Sequence, residues 1–226
     1  MNGLRPMKPT LVVGDLHGKH EVVTAVLEEA RDNDFNVVFI GDYLDSYTRG
    51  SDDCVTTLLL VLDAIENNPE QVTALWGNHE KSYVDAVMRC SGFDTETYPK
   101  IQHLEDRMNV LLKDYVWVYG YLLSHAGVSA ALLRNLKIDL PTYLESKNYN
   151  QIGFARGGNL RVGGLYWCDF RREFEPIDGV PQITGHTRGT GIRQKGNSYC
   201  IDCLEDRDDI LCVLLTDDGA IQEYSI

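Results

Sequence analysis

The sequence lacks any long hydrophobic run. Its longest strongly apolar stretches, Val37 to Ile40 and Leu58 to Leu62, fall far short of the roughly 20 residues needed to cross a bilayer. No apolar segment follows the opening Met-Asn-Gly-Leu-Arg-Pro-Met-Lys-Pro-Thr, so neither a membrane anchor nor a secretory signal is expected, and a cytoplasmic protein is. Positive charge is also short: 21 Lys and Arg stand against 34 Asp and Glu, a net charge of −13. Such a field repels nucleic-acid phosphates and argues against stable nucleic-acid binding. It leaves phosphorylated proteins or small molecules open as partners, because bound divalent cations reverse the sign locally. Proline is scarce, 7 residues against 20 glycines, and 43% of the chain is apolar. That composition excludes disorder along the whole chain and supplies a large core, so one domain over residues 1–226 is expected.

Cysteine is present but unpaired in pattern. Of Cys54, Cys90, Cys168, Cys200, Cys203 and Cys212, only Cys200-x-x-Cys203 has metal-ligand spacing, and no second pair matches it. Buried free thiols are expected. Histidine is rarer still, at six residues, and its placement is informative.

The first half repeats one local unit three times. A short apolar run ends in Gly, a polar residue follows, and a helix-like segment comes next. Thr10 to Val13 leads into Gly14-Asp15 and a helix over Glu21 to Ala30. Asn36 to Ile40 leads into Gly41-Asp42 and a helix over Asp53 to Ile65. Gln71 to Leu75 leads into Gly77-Asn78 and a helix over Glu80 to Met88. Strands alternating with helices predict a sheet covered on both faces, with ligands gathering beyond the strand ends. Further on, the pattern predicts a helix within Ile101 to Leu111, a hairpin over Tyr115 to Ser124 broken at Gly120, and a short helix capped by Ser129. It also predicts strands over Leu165 to Trp167, Gln182 to Thr184, Ser198 to Ile201, Ile210 to Thr216 and Ala220 to Tyr224, with a tight turn at Asp217-Asp218-Gly219. The glycine-rich stretch from Arg156 to Gly164 reads as a loop.

Four of the six histidines fall in compact motifs: Gly14-Asp15-Leu16-His17-Gly18, Gly77-Asn78-His79-Glu80, Ser124-His125-Ala126-Gly127 and Gly185-His186-Thr187. Gly41-Asp42-Tyr43-Leu44-Asp45 makes a fifth motif without histidine. Alone, each is an ordinary turn or a hydrogen-bonded histidine. Five at successive strand ends bring together the oxygen and nitrogen donors that a pair of divalent cations requires. His20 and His103 stand outside these motifs and read as solvated.

These motifs resemble the calcineurin-like metallophosphatases, and within them the phosphoprotein phosphatase branch with its small bacterial and phage members. The resemblance runs from Gly14 to about Asp202. It implies a four-layer α/β/β/α sandwich and two divalent ions, manganese in the small members and iron or zinc in relatives. It implies that Asp15, His17 and Asp42 hold the first metal, that Asp42 bridges, and that Asn78, His125 and His186 complete the second. His79 would act above the pair as a proton donor or transition-state stabiliser, oriented by Asp45. The implied reaction is hydrolysis of phosphate monoesters, chiefly phosphoserine and phosphothreonine in proteins, by a hydroxide bridging the metals. Hydrolysis of diadenosine tetraphosphate or another nucleotide is the alternative. A non-catalytic binding module of the same fold is disfavoured, because no expected ligand is missing.

The chain departs from the family pattern in its arginines. The family continues Asp-Arg-Gly where this chain reads Asp45-Ser46-Tyr47-Thr48-Arg49-Gly50, so Arg49 would have to reach phosphate from three residues late. Trp76 stands before Gly77 where the family favours Arg, and reads as core. Arg171 and Arg172, after Trp167-Cys168-Asp169-Phe170, are the candidates for a second phosphate contact, with Arg188 a further one. Asp202 reads as structural support.

Overall fold

The structure is a computed structural model that describes residues 8–85, 89–204 and 209–226. The three opening units fold as strands β1 (Thr10–Val13), β2 (Asn36–Phe39) and β3 (Val72–Ala74), followed respectively by helices α1 (His20–Asn33), α2 (Ser51–Asn67) and α3 (Asn78–Val84). α4 (Thr97–Ile101), α5 (Glu105–Leu111), the hairpin β4 (Tyr115–Val118) and β5 (Tyr121–Ser124), α6 (Ala130–Leu136) and α7 (Leu140–Ser146) follow. The last part holds β6 (Gln182–Thr184), β7 (Arg193–Lys195), β8 (Ser198–Cys200), β9 (Leu211–Leu215) and β10 (Ile221–Ser225). Two mixed five-stranded sheets result, ordered β10-β9-β1-β2-β3 and β4-β5-β6-β8-β7.

Side-chain alternation explains why the sheets stack. Leu11, Val13, Val37 and Phe39 belong to the large cluster shared with α1 and α2, which contribute Val22, Val26, Leu58 and Leu62. Their neighbours Val12 and Val38 face the other way and join Val213 and Leu215 against Leu123 and Ile183 of the second sheet. A strand with period-two alternation that is apolar on both faces must be covered twice. Helices cover one face and the second sheet the other, giving two sheets flanked by helices.

Most expected elements are present within a residue or two. The hairpin turns through Tyr119 (φ 48°) and Gly120 (φ 83°). Ser129 caps α6 by accepting a hydrogen bond from Ala131 N–H. The turn at residues 216–220 closes with Thr216 N–H donating to Ala220 O at 3.0 Å. The third helix is described over Asn78–Val84; Ala86, Val87 and Met88 of the expected segment lie outside the described residues. Two expectations need correction. Leu165 to Trp167 is a turn, not a strand: Trp167 and Cys168 N–H both donate to Gly164 O at 2.9 Å, and the chain reverses there. β7 was not anticipated, because Arg193-Gln194-Lys195 is polar and pairs only at a sheet edge with β8. No disulfide joins the six cysteines, all of them buried, and burial pushes the thiols of Cys54, Cys90, Cys200 and Cys212 up to about 12. Among the described residues no helix is long and apolar enough to cross a membrane.

If the inter-sheet layer holds the fold together, Ile183→Ala should lower the unfolding free energy by about 2–5 kcal/mol. Gln222→Ala, on an exposed position of β10, should stay within about 0.5 kcal/mol. Denaturant unfolding of both variants measures the difference, and equal losses would show that the second sheet does not depend on this layer.

Candidate metal centre and active-site cleft

The site is built where strands end. Asp15 and His17 follow β1, Asp42 and Asp45 follow β2, Asn78 and His79 open α3, His125 follows β5, and His186 follows β6. Among the described residues eight non-glycines have positive φ, and four of them are site residues: His17 (44°), Asp42 (55°), Asp45 (56°) and His186 (64°). Left-handed backbone costs of order 1–3 kcal/mol at such residues and persists only where surrounding contacts hold it.

Glu80 supplies much of that hold. It is fully buried and accepts four backbone N–H groups: Asp42 (3.0 Å), Tyr43 (2.8 Å), Leu44 (3.0 Å) and Gly77 (3.0 Å). The same carboxylate therefore closes the N-terminal turn of α3 and shapes the loop that presents Asp42. Gly77 admits this arrangement because a Cβ there would lie 2.1 Å from Asp42 Oδ1 and 2.2 Å from Asp42 N. Gly185 does the same for Asp15, whose Oδ1 would lie 2.0 Å from an added Cβ.

Around Asp42 the donors of the five motifs converge. His125 Nε2 lies 2.7 Å from Asn78 Oδ1, 3.2 Å from His186 Nδ1 and 3.3 Å from Asp42 Oδ2. His186 Nδ1 is 2.8 Å from Asn78 Oδ1. Asn78 Nδ2 donates to Cys90 Sγ at 3.0 Å, which turns its oxygen toward the imidazoles. His125 Nδ1 meets Ile40 O at 3.0 Å, so this nitrogen carries the proton and Nε2 presents a lone pair. His17 is oriented in the same way: Nδ1 donates to Asp45 O at 2.8 Å, and Nε2 faces Asp42 Oδ2 at 3.8 Å and Asp15 Oδ2 at 4.0 Å. Lone pairs thus face lone pairs in a buried pocket, an arrangement that a cation relieves. Among the described residues two donor groups of three can be drawn, His17–Asp42–His79 and Asp42–His125–His186, and Asp42 belongs to both.

Charge is distributed unevenly over these groups: burial works against a charged His125, but the Asp42 carboxylate outweighs it and raises that imidazole. Burial, then the Asp202 and Asp42 carboxylates, push Asp15 well above the usual range. Burial works the same way on Asp42, but His125 and His79 outweigh it and hold that carboxyl well below. Burial, then Arg156 and His125, keep His186 neutral by pushing it well below the usual imidazole range. Its Nε2 is buried without a hydrogen-bond partner. Crowded carboxylates, imidazoles and an amide oxygen form the donor set suited to divalent manganese, iron or zinc.

His79 is placed differently from the other histidines. Its Nδ1 donates to Asp45 Oδ2 at 2.8 Å, and its Nε2 lies 3.7 Å from Asp42 Oδ2 at the wall of the cleft. Asp45 is itself fixed by the Tyr83 hydroxyl, which donates to Oδ1. Burial favours neutral His79, but Asp42 and Asp45 outweigh it and raise the pKa.

The cleft above these groups has a volume of about 340 Å³. Arg156 and Arg188 line it, with Tyr47 and Ser91. The arginines expected at phosphate lie elsewhere. Arg49 is ion-paired with Glu21 of α1 and does not line the cleft, because its late position sets it over the first turn of that helix. Arg171 donates to Arg188 O and lines a neighbouring hollow, and Arg172 is exposed and lines neither. Arg156 was not singled out in the sequence, where a glycine-rich loop carries no periodicity to mark it. It donates to His186 O and Thr187 Oγ1 at 3.0 Å and pairs with Asp169 at 3.2 Å. Glu80 was also missed, although Gly77-x-x-Glu80 is a capping-box spacing that could have signalled it. Asp202, read as support, lines the cleft at 5% exposure. Trp76 is core, as expected, with Lys81 Nζ 4.1 Å from its ring.

The family model of the calcineurin-like phosphoesterases matches residues 8–214. The chain belongs to that family. Solved structures similar to this calcineurin-like phosphoesterase include a Saccharomyces cerevisiae protein serine/threonine phosphatase with similarity to human phosphatase PP5. It is 19% identical, with a TM-score of 0.63, over 100% of this chain and 81% of that one. A cold-active protein tyrosine phosphatase is 16% identical, with a TM-score of 0.60, over 96% of this chain and 78% of that one. A candidate diadenosine tetraphosphatase is 13% identical, with a TM-score of 0.57, over 97% and 94%. At these identities the likeness bears on fold alone.

Glu80→Gln should disturb this phosphoesterase centre without touching it directly, because an amide group would face N–H donors where two carboxylate oxygens now accept four. A loss of about 2–3 kcal/mol in stability is expected, together with weaker manganese binding by calorimetry. Gly77→Ala should weaken manganese binding more than it lowers stability, since its Cβ strikes Asp42 first. Wild-type affinity in either variant would show that this loop does not set the donor geometry.

Proposed function

We propose that the chain is a phosphatase acting on phosphate monoesters, with phosphoserine and phosphothreonine in proteins as its substrates. In this reading Asp15, His17, Asp42, Asn78, His125 and His186 hold two divalent cations, manganese by preference, and Asp42 serves both. The observation that carries the reading is the meeting of Asp42 Oδ2, Asn78 Oδ1, His125 Nε2 and His186 Nδ1 at the floor of a cleft whose wall carries the Asp45-tied His79. Cations bound there supply Lewis acidity and an activated water.

The side chains account for the rest of the chemistry. Asp45 fixes the tautomer and direction of His79, so that Nε2 faces the cleft and can give a proton to the departing alkoxide. The raised pKa favours the protonated form that this task needs. Arg156 and Arg188 line the same cleft and offer guanidinium N–H groups to phosphoryl oxygens. Protein-borne phosphate is preferred over a nucleotide because the cleft offers no pair of facing rings to sandwich a base among its described lining residues. Trp167 is 3% exposed, and Tyr47 stands out at 70%.

Purified protein supplied with manganese should hydrolyse p-nitrophenyl phosphate, and no turnover with any of several divalent ions would end the reading. Asp42→Asn should lower kcat/KM by at least about a hundredfold and reduce bound manganese. His79→Asn should lower kcat by about 10²–10⁴-fold while metal content, measured by elemental analysis, stays at the wild-type value. Metal loss in that variant would make His79 a ligand instead. A panel of phosphoserine, phosphothreonine and phosphotyrosine peptides beside diadenosine tetraphosphate should show the first two turned over fastest, and a clear lead for the dinucleotide would replace the substrate assignment.

A further inference from the structure

His79 and Tyr83 lie four residues apart on α3, the spacing that puts two side chains on one face of a helix. Both reach the same carboxylate. His79 Nδ1 donates to Asp45 Oδ2 at 2.8 Å, and the Tyr83 hydroxyl donates to Asp45 Oδ1. The Asp45 side chain has no exposed surface, so water cannot stand in for either donor.

Tyr83 is itself held from two sides. Its ring is buried and stacks on Phe93, with centroids 4.4 Å apart and planes 21° apart. Its oxygen accepts Asp94 N–H at 3.1 Å. The hydroxyl has one proton and two acceptors in range, Asp45 Oδ1 and, at 3.3 Å, Asp94 O. The Asp45 contact is the shorter, and a carboxylate is the stronger acceptor, so the proton goes to Asp45. Burial, then the hydrogen bond to Asp45, raise the phenol above its ordinary range, which keeps it a donor. Phe93 and Asp94 thus fix the phenol, the phenol fixes the plane of the Asp45 carboxylate, and that plane fixes the direction of the His79 ring.

We propose that Tyr83 is a positioning residue for the reaction, holding His79 through Asp45 with Nε2 toward the leaving oxygen. The proposal rests on the reading of His79 as the proton donor given above. In that step the oxygen of water bonds to phosphorus, the bond from phosphorus to the leaving oxygen breaks, and the leaving oxygen takes the Nε2 proton. Nδ1 keeps its own proton against Asp45, so the imidazole ends the step neutral. The need for the proton grows with the basicity of the leaving oxygen. A p-nitrophenolate departs readily without it; a phenolate or a serine alkoxide does not. Loss of the Tyr83 hydroxyl should therefore be graded by leaving group, whereas a general loosening of the fold would slow every substrate alike.

Tyr83→Phe keeps the stacked ring and removes one oxygen. In the manganese-loaded full chain its kcat should fall at least about tenfold further on phenyl phosphate than on p-nitrophenyl phosphate, with bound manganese at the wild-type value by elemental analysis. His79→Asn should show the same selective loss, and adding Tyr83→Phe to it should deepen that loss by less than about twofold, because the two act as one unit. Phe93→Leu, which loosens the stack from outside the hydrogen bonds, should show a smaller selective loss of the same sign. A readout without turnover is the Nδ1 proton of His79, expected as a downfield NMR line that His79→Asn removes and Tyr83→Phe shifts. Equal loss on the two phosphates in Tyr83→Phe, a loss that adds in full to that of His79→Asn, or an unmoved Nδ1 line would each overturn the proposal and leave the phosphatase standing. A uniform loss in His79→Asn would overturn the proton-donor role of His79 and this proposal with it. Absence of wild-type turnover on both phosphates would overturn the phosphatase reading itself.

Discussion

One buried carboxylate sets the geometry on which the centre depends. Glu80 gathers backbone N–H groups from two separate segments, the loop after β2 and the turn that starts α3. An ionised acid in a dry interior is stable only when donors surround it, and four amide dipoles meet that need. In return the loop is locked with Asp42 in a left-handed conformation. From Asp42 the order spreads outward: its carbonyl accepts Leu16 and His17 N–H, and its Oδ1 accepts His79 N–H. The segments after β1, β2 and β3 are thus tied to one residue.

The histidines illustrate how identical side chains take distinct roles through their second nitrogen. His17 and His125 give their Nδ1 protons to neutral carbonyls, which turns Nε2 of each toward Asp42. His79 gives its proton to a carboxylate, which stabilises an imidazolium. His186 is surrounded by Arg156 and other imidazoles and stays neutral. Nothing in ring chemistry separates the four; their partners do.

Legibility followed the same division. The strands and the residues just past them could be read because apolar runs ending in Gly-Asp, Gly-Asn or His are local signals, and the glycines are required by contacts as short as that of Gly77 with Asp42. Four of the eight left-handed non-glycines among the described residues sit in the motifs, so the irregular backbone of the site was itself marked by sequence. What could not be read depends on long-range packing. Arg49 lies close to the site in sequence yet turns to Glu21, a partner 28 residues away. Arg156 lies far from every motif yet meets His186 and Thr187 across 30 and 31 residues. Leu165 to Trp167 has the composition of a strand, and only the close packing of Gly163 against Trp167 and Cys168, and of Gly164 against Tyr149 and Gln151, shows why it bends.

The span of the centre along the chain has a consequence for synthesis. Asp15 accepts the N–H of His186, 171 residues later, and β1 completes its pairing only when β9 lies against it. Contacts of such separation form late in folding. A ribosome-bound fragment that ends before β6 lacks His186, so the donor group of Asp42, His125 and His186 closes only after that strand and the turn beyond it have emerged.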